Sequence, residues 1–193
     1  YLLTDQGKIL EKEQLDYLLI NTDIYNLKIR LNTNKKDTPF LMVLFSLKEK
    51  LNLKITEDQW TYLIENSNLK LINSFNENSL MFAFYYNSEN NLNLTEKQIS
   101  YLIKNNDLKL INDQGWNSLF IYLNYNKKHN LNLTEEQVNY LIENSNINNE
   151  IEGINTLMSG FENNTFCNLN LKERHFDYLI KNSNLNFKEQ NNK

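Results

Sequence analysis

The chain has one cysteine, Cys167, and one proline, Pro39. A single thiol excludes an internal disulfide and favours a reducing compartment, the cytoplasm or a host cytoplasm. Four glycines in 193 residues leave no glycine-rich loop to cradle a phosphate. His129 and His175 are the only histidines. With no convergent ligands around them, neither a metal nor another cofactor is expected. Basic and acidic residues number 20 and 24, for a net charge of −4, and neither sign forms a block. Nucleic acid is therefore not the expected partner, because such binders carry a clustered basic face. No apolar run reaches the roughly 18–20 residues that span a bilayer, so no membrane span is expected. The chain opens at Tyr1 rather than at methionine, so the lack of a visible leader carries no information.

Asparagine is abundant instead, at 37 of 193 residues. Such a bias accompanies AT-rich genomes, as in intracellular bacteria or some protists. A prion-like tract is the other compositional reading. The asparagines, however, interleave with an apolar pattern of helical period, which argues for folded helices.

Tyr-Leu-Ile, once Tyr-Leu-Leu, recurs at Tyr17, Tyr62, Tyr101, Tyr140 and Tyr178, spaced by 45, 39, 39 and 38 residues. A fixed period of this size marks a helix-pair solenoid, each unit stacked on its neighbours. The expected units are 1–31, 32–72, 73–111, 112–149 and 150–187. A polar tail, 188–193, follows.

Within one unit, Asn112-Asp113-Gln114-Gly115 is turn chemistry. A first helix opens at Asn117-Ser118, with Leu119, Tyr122 and Leu123 on one face. A long asparagine-rich loop is expected at 124–132. Thr134 and Gln137 then form a capping-box pattern, with Leu133 and Val138 as its hydrophobic staple. The same devices occur at Thr56 with Gln59 and at Thr95 with Gln98. At Lys172 with His175 the staple is kept and the box is lost. The second helix stops at Asn144, as others do at Asn66, Asn105 and Asn182. Asparagine tolerates the left-handed backbone of a helix end, which predicts that conformation there.

Thr38-Pro39-Phe40-Leu41, with its counterparts Asn78-Ser79-Leu80-Met81, Asn117-Ser118-Leu119-Phe120 and Asn155-Thr156-Leu157-Met158, resembles the Thr-Pro-Leu-His start of an ankyrin repeat. Gly115 and Gly153 stand two residues before the helix start, where that family has glycine. Pro39 fits the first helical turn, where its missing N–H costs nothing. The usual repeat is about 33 residues, and the surplus here falls between the two helices. The resemblance implies an all-α, ankyrin-like array, monomeric, non-catalytic, and holding a protein partner in the groove of turn tips and first helices. Composition adds a host-directed protein of an intracellular bacterium as an implication. The alternatives are a structural spacer within a larger protein and a single-stranded RNA-binding helical repeat.

Few residues invite a chemical role. His129 lies in a polar stretch, His175 is expected on the solvated side of a helix start, and Cys167 is expected in a loop. Glu57-Asp58 and Glu135-Glu136 occupy first helical turns, where they favour the helix dipole. If ankyrin geometry holds, Phe82, Tyr85, Tyr86, Ile121 and Tyr125 turn toward the groove and Trp116 sits at a turn tip. Aromatic residues are the usual anchors of interfaces. Lys35 and Lys36 at one end and Glu152 at the other would give that groove opposite charges.

Overall fold

The computed structural model describes residues 16–17, 19, 21–30, 37–50, 52–87, 89–129, 133–148, 150–151, 154–167, 169 and 171–183. The fold is all-α. Eight helices are bounded among these residues: α1 (Phe40–Leu47), α2 (Glu57–Asn66), α3 (Ser79–Tyr86), α4 (Glu96–Asn105), α5 (Ser118–His129), α6 (Glu135–Asn144), α7 (Thr156–Cys167) and α8 (Glu173–Asn182). Among the described residues, strands occur only in two small antiparallel hairpins. β1 (Lys28–Arg30) pairs with β2 (Asp37–Pro39), and β3 (Glu150–Ile151) with β4 (Ile154–Asn155).

The helices form two rows. In one, α1, α3, α5 and α7 pack successively; in the other, α2, α4, α6 and α8 do so. The recurring tripeptide explains the second row. Its leucine is fully buried wherever it is described, at Leu63, Leu102, Leu141 and Leu179. Its isoleucine faces the next pair. Ile64, Ile103 and Ile142 are buried, whereas Ile180 in the last pair is 43% exposed. Met158 and Phe161 on α7 behave likewise: their counterparts Met81, Phe120, Phe84 and Leu123 are buried, and these two are exposed. One apolar side of each pair is thus covered by its successor.

Each second helix starts on a complete capping box where threonine leads. The N–H groups of Gln59, Gln98 and Gln137 donate to the Thr56, Thr95 and Thr134 hydroxyls, and each glutamine Oε1 accepts from the threonine N–H at 2.8–2.9 Å. The glutamine Nε2 is left free to reach the preceding pair. Gln98 donates to the Glu57 carbonyl and the Thr61 hydroxyl, and Gln137 to the Glu96 carbonyl and the Ser100 hydroxyl. Gln59 donates to Asp16. One side chain therefore caps its own helix and fastens it to the preceding pair. Thr134→Ala should lower stability by about 1 kcal/mol, the usual cost of losing an N-cap acceptor. Urea melts would check it, and a change below a few tenths would deny the cap its role.

Asp16, Thr61, Ser100 and Asn139 all precede the recurring tyrosine. In the last pair Asn139 meets a histidine instead. His175 is buried, which corrects the solvated placement expected from its polar neighbours. Its Nδ1 accepts from the Lys172 N–H at 2.9 Å, and its Nε2 lies 2.7 Å from Asn139 Oδ1. Imidazole thus supplies the reciprocal half of a capping box. Lysine has no acceptor with which to supply the other half.

The proton on this ring belongs on Nε2, since Nδ1 is an acceptor. Burial, then the Arg174 charge, holds the imidazole below its usual range. Above about pH 6.5 the ring is neutral in folded and unfolded chains alike. As pH falls through that value the unfolded chain takes up its proton first, so stability is lost until the folded ring also protonates. His175→Gln should remove this acid-dependent loss below about pH 6.5. Parallel melting curves against pH for both proteins would refute it.

Several local expectations need correction. Asn66, Asn105, Asn144 and Asn182 are not left-handed. Each is the last helical residue, and its Nδ2 donates at 2.8 Å to the carbonyl four residues back, that of the recurring tyrosine. That bond satisfies an orphan carbonyl, and the chain leaves through extended residues such as Ser67 and Asn106. Positive φ occurs instead at Asn52, Asn76, Asn91, Asn93 and Gly115. Asn76 takes the turn position that Gly115 takes one unit later. Pro39 is the residue before α1, not inside its first turn. Most of the expected 124–132 loop is helical, because α5 runs on to His129. The helix α7 likewise includes Thr165 and Cys167. The surplus residues of these units extend the first helix rather than lengthen a loop. Lys35, Lys36, Glu152, Gly153 and the 188–193 tail lie outside the described residues.

Candidate functional site

On α3, Phe82, Tyr85 and Tyr86 fall at i, i+3 and i+4 and share one side of the helix. The other sides carry Leu80, Met81, Ala83 and Phe84, which are buried against α1, α5 and the second row. Below this side stands the turn of the same unit. Asn73 Oδ1 accepts from the N–H groups of Phe75 and Glu77, which fixes the turn and sets Glu77 just before the helix. The next turn is built the same way: Asn112 Oδ1 accepts from Gln114 and Trp116. Glu77 and Trp116 are equivalent residues of successive turns, so a carboxylate and an indole stand side by side.

The result is an open cleft of about 330 Å³, walled by Phe82, Tyr85, Tyr86 and Trp116. Its rings touch in sequence. Phe82 and Tyr86 lie 5.5 Å apart between centroids, Tyr85 and Tyr86 6.5 Å, and Tyr85 and Trp116 6.3 Å. Trp116 also stacks on Phe120 at 6.3 Å, which ties the wall to the core. All four wall residues are half-buried, so each presents ring surface to solvent while resting on packed neighbours.

Glu77, Glu89 and Gln114 complete the lining. Glu77 is held by two amides: Asn73 Nδ2 donates to its Oε2 at 2.8 Å and Asn112 Nδ2 to its Oε1 at 3.4 Å. Glu89 is exposed on the turn after α3. Among the described residues no lysine or arginine pairs with either carboxylate. Desolvation, then the charges of Glu77 and Glu89, pushes the Tyr86 phenol above its usual range. The phenol stays protonated at neutral pH, able to donate a hydrogen bond and poorly placed to act as a nucleophile.

Four of the six residues expected to face a partner thus meet in one cleft. Ile121 does not. It is fully buried, and Leu119, Phe120, Tyr122 and Leu123 beside it on α5 are buried too. Its counterpart Phe82 stays half-exposed at the equivalent position. The Tyr125 side chain lies outside the described residues. The two carboxylates were missed by reasoning from aromatic residues alone. Aligning the units would have exposed Glu77, since it and Trp116 both immediately precede an Asn-Ser helix start.

A smaller cleft, about 170 Å³, opens beside Asn139, Glu143, Arg174 and His175. Its histidine is occupied in capping, and Arg174 is paired with Glu135. Among the described residues no cluster of three histidine, cysteine, aspartate or glutamate side chains could hold a metal. No described helix is long and apolar enough to cross a membrane. No protein-family model matches the chain, and no curated protein matches it either.

Proposed function

We propose that this chain is a non-catalytic protein-interaction scaffold, an ankyrin-like solenoid that holds a partner across the turn tips and first helices of adjacent units. The observation that carries the reading is the convergence of Phe82, Tyr85, Tyr86 and Trp116 in one open cleft. Partly exposed aromatic rings on a rigid backing are the features of interface anchors. Several further features support the ankyrin-like part. Short turns or hairpins precede each first helix, and adjacent turns touch, the Asp113 N–H donating to the Phe75 carbonyl at 3.0 Å. Two rows of helices stack pair upon pair. The asparagine-rich composition agrees with a host-directed protein of an intracellular bacterium.

Selection of a random peptide library displayed on phage against the intact protein tests the binding function. Recovered peptides should bind the native chain and lose affinity for the Tyr86→Ala/Trp116→Ala variant. Peptides that bind both equally well would overturn the assignment of this surface.

A further inference from the structure

We infer that the aromatic cleft recognises an arginine side chain of a partner polypeptide, seated between the rings and the Glu77 carboxylate. The inference deepens the proposed binding function and rests on it. Charge complementarity selects a cation. Two carboxylates, Glu77 and Glu89, border a cleft whose other walls are four aromatic rings, and among the described residues no basic side chain answers either one. Aromatic faces are themselves negative, so ring and carboxylate attract the same ligand.

The chemistry further favours arginine over lysine. A guanidinium is planar and weakly hydrated, so it can stack on rings with little desolvation cost. An ammonium is compact and strongly hydrated, and it would give up more water to enter an apolar cleft. Glu77 is also prepared for a forked donor. Each of its oxygens already accepts one asparagine N–H, which fixes the carboxylate plane and leaves a second acceptor site on each oxygen. Asn73 and Asn112 are buried and belong to successive turns. The orientation of Glu77 is therefore set by the stacking of two units and would not exist in one alone.

Trp116 provides the readout. The only other tryptophan, Trp60, is buried in the core against Phe45. A change in indole fluorescence on adding ligand therefore reports the cleft. The probes are three acetylated, amidated pentapeptides with flanking glycine and serine and a central arginine, lysine or citrulline. Citrulline keeps the planar shape and loses the charge. The arginine peptide should give a saturable fluorescence change, with the citrulline peptide about tenfold weaker and the lysine peptide intermediate. Glu77→Gln should weaken the arginine peptide by a similar factor. Because that change disturbs two asparagine bonds, Glu89→Gln serves as the second variant. Glu89 makes no hydrogen bond among the described residues, and its replacement should weaken binding two- to threefold, or about that.

Equal affinity for arginine and citrulline peptides would overturn the inference, as would unchanged binding in both glutamate variants. Failure here is distinct from failure of the scaffold function. Library peptides that depend on Tyr86 and Trp116 yet contain no arginine would sink the arginine assignment and leave the binding surface standing.

Discussion

Replacing Asn117 with alanine should destabilise the protein by about 2–4 kcal/mol, more than the loss of any threonine cap. Asn117 is fully buried at the start of α5 and its amide is used at both ends. Its Oδ1 accepts from the Phe120 N–H at 2.8 Å, and its Nδ2 donates to the Asn146 carbonyl at 2.7 Å. The first bond caps the first helix of the unit. The second ties that helix to the segment leaving the second helix. Alanine would strand a buried donor and a buried acceptor together, each costing about 1–3 kcal/mol. Asn117→Ser would keep an oxygen for the cap and lose the cross-link, so it should cost roughly half as much. Asn78 repeats the arrangement, with Met81 and the Asp107 carbonyl as partners, and should respond in the same way. Urea denaturation followed by circular dichroism would measure these differences. An Asn117→Ala cost no larger than that of Thr134→Ala would mean that the cross-link contributes nothing.

The double variant Tyr86→Ala/Trp116→Ala should weaken binding of a cleft-dependent peptide by about 100-fold or more, as the loss of two anchor side chains does. Both rings are half-buried and packed against the core, so some loss of stability must accompany it. We expect about 1–2 kcal/mol for the pair, from the apolar area each ring removes from water. Trp60→Phe is the control. Trp60 lies in the core against Phe45, outside the cleft lining, and its replacement should reduce stability while leaving peptide affinity unchanged. If the double variant instead lost several kcal/mol of stability, or if Trp60→Phe reduced affinity as strongly, the cleft would be a packing feature.

Residues with a local physical reason were legible from the sequence. Thr56, Thr95 and Thr134 each have a glutamine three residues later, with an apolar residue just before the threonine and another just after the glutamine, and all three capping boxes form. Hydrogen bonds within four residues depend little on the rest of the fold. The aromatic cluster was legible for a similar reason: Phe82, Tyr85 and Tyr86 share a helix face by spacing alone. Ile121 was misplaced because it stands at the same helix position as half-exposed Phe82, so spacing within the helix cannot tell the buried residue from the exposed one. His175 was misplaced because its environment comes from Asn139, 36 residues earlier.

The sequence by itself determined the period, the second helices with their caps and the apolar residues that each pair turns inward. Period and capping are properties of neighbouring residues along one chain segment. Tertiary structure alone decided what the asparagines and glutamines do with their second hydrogen-bonding group. Each amide carries both a donor and an acceptor. One end is spent locally, on a cap or a turn, as Asn117 and Gln98 show. The other end finds a partner roughly 30–40 residues away, across its own helix pair for Asn117 and on the preceding pair for Gln98, and only tertiary packing brings that partner within 3 Å. The carboxylate of Glu77 became part of a site in the same way, through amides from two successive turns.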